Sequence, residues 1–479
     1  MNSAPATRSI ADLAGPARLP LLGNAHQVRT DRLHTIAEGW SDRYGPIFRF
    51  DLGRRRIVAI SDVEVINTIL RDRPDGFRRW REVEEIFDEM GFSGVFSNEG
   101  EDWRRQRRLV VTALNSNHLQ RYFHVIHTAT ARLYGRLRQA ARDGRVLDIC
   151  EELTSFSVDV TSALAFGHDL NTLERRDNEL QSHIQRAFEM LGRRMTAPVA
   201  YWRTVKLPAD RALDRSLTAL HDAVAGFIAQ ARKRMLERPE LTQAPENFLE
   251  GMLAAQQADG KFTDEEIIGN TLTLLLAGED TTAHTIAWTL WFLSTRKEIQ
   301  ARWAAEAREV LGEEAYPAGY EAVEHLHYGE AVLRESMRLK PVAVAQPVEP
   351  LHDTTIAGTH IPTGTSLWLL IRQANLRAEG SHNARDFDPE RWLADGEHQP
   401  DPKTFLAFGA GPRFCPGRNL AFLESKTAMA MIARNFELEL DDSNGAVGEK
   451  FSFTMIPQGL QLRLRERVSE KPIPVGASA

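Results

Sequence analysis

Apolar residues recur every three to four positions through most of the stretch from about Asn98 to Gln300, clearest in Leu109 to Leu114 and Leu217 to Met235. This period predicts amphipathic helices. Strand signals precede them: Pro46 to Leu52 and Arg55 to Ile60 stand on either side of a glycine-containing turn and read as a β-hairpin. Short strands return at Ser366 to Arg372 and Gly459 to Leu464. The longest apolar stretch opens with Phe262-Thr263-Asp264-Glu265-Glu266-Ile267, where Thr263 and Glu266 have capping-box spacing and Phe262 and Ile267 form a hydrophobic staple. The helix predicted from there runs to about Leu293, roughly 45 Å at 1.5 Å per residue, long enough to cross a domain. Glu279, Asp280 and His284 in its middle argue against a membrane span.

With 42% hydrophobic and 26% charged residues the chain can build a large core, and its formal charge of -7 gives no reason to expect a nucleic acid partner. Met1 to Leu19 contains no apolar run near the ~20 residues of a membrane span and no signal-peptide core, so a cytoplasmic enzyme without a membrane anchor is expected. Cys150 and Cys415 are the only cysteines, which excludes a disulfide framework and suits a reducing compartment. Cys150, within Leu147-Asp148-Ile149-Cys150, reads as a packed apolar side chain. Cys415 is different. It sits in Phe408-Gly409-Ala410-Gly411-Pro412-Arg413-Phe414-Cys415-Pro416-Gly417, where glycines let the backbone pass under a flat macrocycle and aim N–H groups at a sulfur. Pro416 suits the first position of a helix, whose positive end would favour thiolate over thiol at Cys415. Cys415 is therefore a candidate iron ligand.

Four further segments matter in combination: Gly100-Glu101-Asp102-Trp103-Arg104-Arg105-Gln106-Arg107-Arg108, Ala277-Gly278-Glu279-Asp280-Thr281-Thr282, Glu335-Ser336-Met337-Arg338 and Pro389-Glu390-Arg391-Trp392. In this order, ahead of the cysteine loop, they resemble the cytochrome P450 family across nearly the whole chain. The resemblance implies a mainly α fold, a triangular helical prism with a small β-rich lobe. It implies one haem-thiolate monooxygenase domain at 19–466, with a leader at 1–18 and a tail at 467–479.

The resemblance also assigns roles. Cys415 holds the iron of haem b; Trp103, Arg107 and Arg413 reach a propionate; Phe408, Ala277 and Gly278 touch the cofactor, Gly278 leaving room for a diatomic ligand. Thr281 donates a hydrogen bond toward dioxygen, and Asp280 relays protons. Glu335, Arg338 and Arg391 brace the cysteine loop. Phe96, Leu274, Ala277, Val342, Val344 and Ile456 line a pocket for a lipophilic substrate. One departure stands out: many members carry an arginine where this chain reads Pro347-Val348-Glu349, so a customary propionate partner is missing at Val348.

No reductase segment follows Cys415, so electrons are expected from a separate ferredoxin or flavodoxin with its NAD(P)H reductase. Arg104, Arg105, Arg108, Lys403, Arg418 and Lys426 are the candidate docking charges. A monomeric, bacterial-type enzyme is expected. The alternatives are a peroxide-driven oxygenase of the same family, which tends to lose the Asp280-Thr281 pair, and a non-catalytic haem sensor or carrier.

Overall fold

The predicted capping box forms. Glu266 N–H donates to Thr263 Oγ1 at 3.2 Å and Thr263 N–H donates to Glu266 Oε2 at 2.9 Å, starting a helix over Asp264–Ser294. This computed structural model describes residues 8–175, 179–197, 199–260, 262–378, 383–393 and 399–467. The Asp264–Ser294 helix is buried on nearly every side from Ile267 onward, as its unbroken apolar sequence requires. Its closest neighbour is the Ile149–Phe166 helix. A Cβ on Gly278 would lie 2.4 Å from Thr161 Oγ1, so glycine there sets how closely the two helices approach. This contact is a reason for glycine beyond the one expected from the sequence, and Gly278 also lines the cavity described below. Among the described residues, no helix is long and apolar enough to cross a membrane.

The β-rich lobe is a five-stranded sheet. Across it lie Ile47–Leu52, Arg55–Ile60, Ser366–Leu370, Ala345–Pro350 and Phe77–Arg79. The predicted hairpin is present as the antiparallel pair Ile47–Leu52 and Arg55–Ile60. The strand expected through Arg372 ends at Leu370, and the chain turns into a helix at Ile371–Arg377. Arg372 is buried there, its guanidinium donating to Glu38 and Glu449. A second sheet joins Val146–Asp148, Gln461–Glu466 and Phe436–Asp441, so the strand expected at Gly459 to Leu464 begins two residues later. Residues 8–18 belong to the lobe: Arg8 N–H donates to Gly358 O at 2.9 Å, His360 N–H to Arg8 O at 2.8 Å, and Ile10 packs in the lobe core. Arg467 N–H likewise donates to Asn435 O at 2.8 Å; the rest of the expected leader and tail, 1–7 and 468–479, lies outside the described residues.

Candidate active site

A cavity of about 730 Å³ lies between the long helix, the lobe and the cysteine loop. A second hollow of the same volume is lined by Arg121, Asp169, Arg234 and Glu246 among others and lacks any cysteine. Cys415 lines the first cavity, with Trp103, Arg107, Phe408, Arg413, Leu274, Ala277, Gly278 and Thr281. The loop's shape explains its glycines. Gly411 has φ +68°, and a Cβ on it would lie 2.4 Å from Leu70 O, so this turn excludes any side chain. Cys415 N–H donates to Phe408 O at 2.9 Å, which closes the loop.

The helix after the cysteine spans Arg418–Asn435, with Gly417 as its cap. Pro416 is thus outside the helix, one residue before the cap, and not at its first position as expected. Burial pushes the Cys415 thiol up, while the N–H groups of Gly417 and Arg418 and the Arg107 guanidinium pull it down. A bound cation reverses that balance, because coordination deprotonates a thiol outright. Cys150 has no comparable setting: it packs against the apolar core, its thiol near Pro457 O at 3.8 Å, and burial pushes its pKa far up.

Glu335 is fully buried and joins the residues predicted to brace the loop. Arg338 Nε and Nη2 each donate to its carboxylate at 2.8 Å, Arg391 Nε at 3.0 Å, Trp392 Nε1 at 2.8 Å and Asp388 N–H at 2.9 Å. Each oxygen is saturated with donors, the condition under which a buried charge is tolerated.

On the opposite wall, Thr281 Oγ1 donates to Ala277 O at 2.6 Å. Thr281 lines the cavity with its hydroxyl hydrogen directed back to this carbonyl one turn earlier. Asp280 sits behind it. Burial pushes the Asp280 carboxyl up to about 7, with the Thr454 hydroxyl opposing and the Glu189 charge reinforcing. Thr454 lines the cavity, so Asp280 stands one side chain away from it. Sequence reasoning missed Thr454, and also Glu424, a cavity-lining carboxyl that burial raises to about 8.

Phe96 and Val342 line the cavity as expected; Val344 and Ile456 do not. Val344 packs in a core cluster with Trp288 and Met455, and Ile456 pairs across its hairpin with Lys450. The turn before Ile456 supplies the wall instead. Phe453 meets Phe96 at 5.8 Å between ring centroids, and Phe96 meets Phe87 at 4.8 Å. The Phe96 loop is fixed to the long helix by Val95 N–H donating to Asn270 Oδ1 at 2.9 Å. Above, the Glu179–Thr196 helix presses on the same turn: a Cβ on Gly192 would lie 2.1 Å from Ser452 Oγ and 3.3 Å from Phe453 N.

The residues present fit haem b. A cysteine with N–H donors lies against one wall and apolar side chains against the other. Near the cysteine loop, Arg413 stacks over Trp103 at 4.3 Å, and its Nε and Nη1 are buried without a partner among the described residues. Such groups suit carboxylates of a ligand. Arg107 Nη2 donates to Phe414 O at 2.6 Å, so it also holds the loop itself.

Residues 13–464 match the family described as Cytochrome P450. The chain is 28% identical to 25-hydroxyvitamin D-1 alpha hydroxylase, mitochondrial, of Mus musculus, over 90% of this chain and 87% of that protein. It is 25% identical to thromboxane-A synthase of Rattus norvegicus, over 88% and 86%. It is also 27% identical to the chloroplastic protein LUTEIN DEFICIENT 5 of Arabidopsis thaliana, over 90% and 74%.

Proposed function

The chain belongs to the cytochrome P450 family and so is a haem-thiolate monooxygenase using haem b, dioxygen and a redox partner; on that premise we propose that Cys415 is its iron ligand and that its substrate is a medium-sized lipophilic molecule. The observation that carries this reading is the sharing of one cavity by Cys415, Thr281 and a wall of Phe87, Phe96, Leu274 and Phe453. When bound, haem b supplies the activation of dioxygen, with two electrons and two protons, so that one oxygen atom enters the substrate and the other leaves as water. The protein side divides into three tasks. Cys415, with Gly417 and Arg418 N–H aimed at it, binds as thiolate. Asp280, near 7, both accepts and releases a proton at neutral pH and delivers it toward the cavity. Thr281 Oγ1, its own hydrogen held by Ala277, accepts a hydrogen bond from a proton carrier at the cavity wall.

The aromatic and aliphatic wall binds by apolar burial, worth roughly 25 cal/mol per Å², with few polar groups to orient a substrate. Terpenoids, steroids, fatty acids or hydrophobic aromatics fit that chemistry. Titration of such compounds should displace water from the ferric haem of the loaded enzyme and shift its Soret band. A screen in which only small, highly charged molecules gave the shift would sink the substrate reading.

We further propose that the partner is a small acidic ferredoxin or flavodoxin, served by its NAD(P)H reductase, and that the enzyme acts as a monomer. The expected basic patch is changed by the structure. Lys426 is buried against Glu330 at 3.1 Å, Arg104 pairs with Asp75 and Glu101, and Arg105 pairs with Asp102 and Glu266. Arg108 and Lys403 remain exposed, and Phe414, beside the cysteine, is 41% exposed. Electron transfer should slow with added salt, and Lys403→Glu with Arg108→Glu should weaken it further. A rate unmoved by either change would count against docking at this face.

A further inference from the structure

Three guanidiniums converge around Glu99. Arg73, Arg79 and Arg413 all line the cavity. Glu99 is already committed: its Oε1 accepts from Arg79 N–H at 3.0 Å, its Oε2 accepts from Arg413 Nη2, and Arg73 Nη2 is 3.9 Å away, beyond hydrogen-bond reach. Arg73 Nε and Nη2 and Arg413 Nε and Nη1 are buried with no partner among the described residues. Arg79 Nε donates only to Phe96 O at 3.3 Å, with its guanidinium 3.9 Å over the Phe96 ring. Burial, reinforced by Arg73 and Arg413, pulls the Arg79 pKa well below its ordinary value. Three cations share Glu99, and the next acid, Glu84, is itself paired with Arg78, so positive charge is in surplus next to an open cavity. Arginine cannot shed its proton to escape that cost. An occupant bearing two carboxylates would remove it.

Strand pairing links this surplus to the departure noted in the sequence. Arg79 is the register partner of Val348 across the antiparallel pair Phe77–Arg79 and Ala345–Pro350, and Val348 itself is wholly buried in the lobe core. We infer that Arg73 and Arg79, together with Arg413, hold the two propionates of haem b, so that the cation missing at Val348 is supplied from the neighbouring strand and the turn before it. This rests on the reading of Cys415 as the iron ligand. Arg73 and Arg79 are positioning residues for the cofactor and take no part in the reaction.

The test is haem release from the intact holoenzyme to excess apomyoglobin, with resonance Raman of the propionate bending bands. Arg79→Gln and Arg73→Gln should each speed release about tenfold or more, because a charge-assisted hydrogen bond to a carboxylate is lost, and should shift a propionate band. Arg79→Lys, which keeps the charge, should fall between them and the parent. Release within twofold of the parent, with unmoved bands, would overturn the assignment. So would unchanged release combined with a selective loss of the Soret shift for dodecanoate, which would make these arginines readers of a substrate carboxylate. The carbon monoxide spectrum separates the two levels: a thiolate band in every variant keeps the Cys415 reading whatever the release rates, and its absence from the parent removes that reading and this one together.

Discussion

Replacing Cys415 by serine should abolish the red-shifted carbon monoxide band of a thiolate-held ferrous haem and, with it, monooxygenase turnover. The prediction is sharp because serine preserves almost everything else. The Cys415 N–H still closes the loop on Phe408 O, and the N–H groups of Gly417 and Arg418 still aim at the side chain. Only the sulfur is lost. A hydroxyl does not ionise near neutral pH and cannot take the place of a soft thiolate on iron. Cys150→Ser is the control, since that thiol packs against the core and does not line the cavity. The carbon monoxide difference spectrum decides between them: loss in the Cys150 variant and retention in the Cys415 variant would reverse the assignment.

Asp280→Asn should slow turnover by roughly 10²-fold, within the usual range for a lost acid–base group, while making the protein more stable at alkaline pH. The two effects have one origin. Asp280 has a folded pKa of about 7 against an ordinary 3.8, with burial as the main cause. Between those values the unfolded chain binds fewer protons than the folded one, so stability from this group falls as pH rises and is lowest above about 7. A raised carboxyl is therefore a destabilising one at working pH, by on the order of a few kcal/mol at most if each unit is ~1.4 kcal/mol. Asparagine is free of that penalty. Thermal unfolding of parent and variant should converge near pH 4 and separate with the variant higher at pH 8. Equal turnover of the two proteins from pH 6 to 9 would remove Asp280 from proton delivery.

Features written in local spacing were readable from the chain. The capping box at Thr263 and Glu266 and the Glu335–Arg338 pair each connect residues three apart, and both formed as expected. The hairpin at 47–60 is local too. What escaped depends on partners distant in sequence. Hydrophobicity alone cannot separate Val342, on the cavity wall, from Val344, two residues on and buried beside Trp288. A lysine is not thereby exposed: Lys426 lies inward because Glu330, on another helix, waits for it. The close approach of Gly278 to Thr161, from a different helix, likewise left no local mark in the sequence. Arg73 and Arg79 gave no signal because their meaning is a charge sum around Glu99, which exists only after folding. The cytoplasmic, bacterial-type setting rested on the N-terminal pattern and the cysteine count, and relatives named mitochondrial and chloroplastic lend it no support.

The contact between Gly192 and the Ser452–Phe453 turn bears on how this enzyme could acquire a new substrate range. Leu191 and Met195 on one side of that contact, and Phe453 on the other, all reach the cavity. Because even a Cβ at residue 192 would collide with Ser452, the helix and the turn set each other's position here. Substitutions at 191–195 and at 452–454 will accordingly be epistatic, with double changes departing from the sum of the singles. Adaptive paths through this wall are therefore expected to run through paired replacements on the helix and the turn.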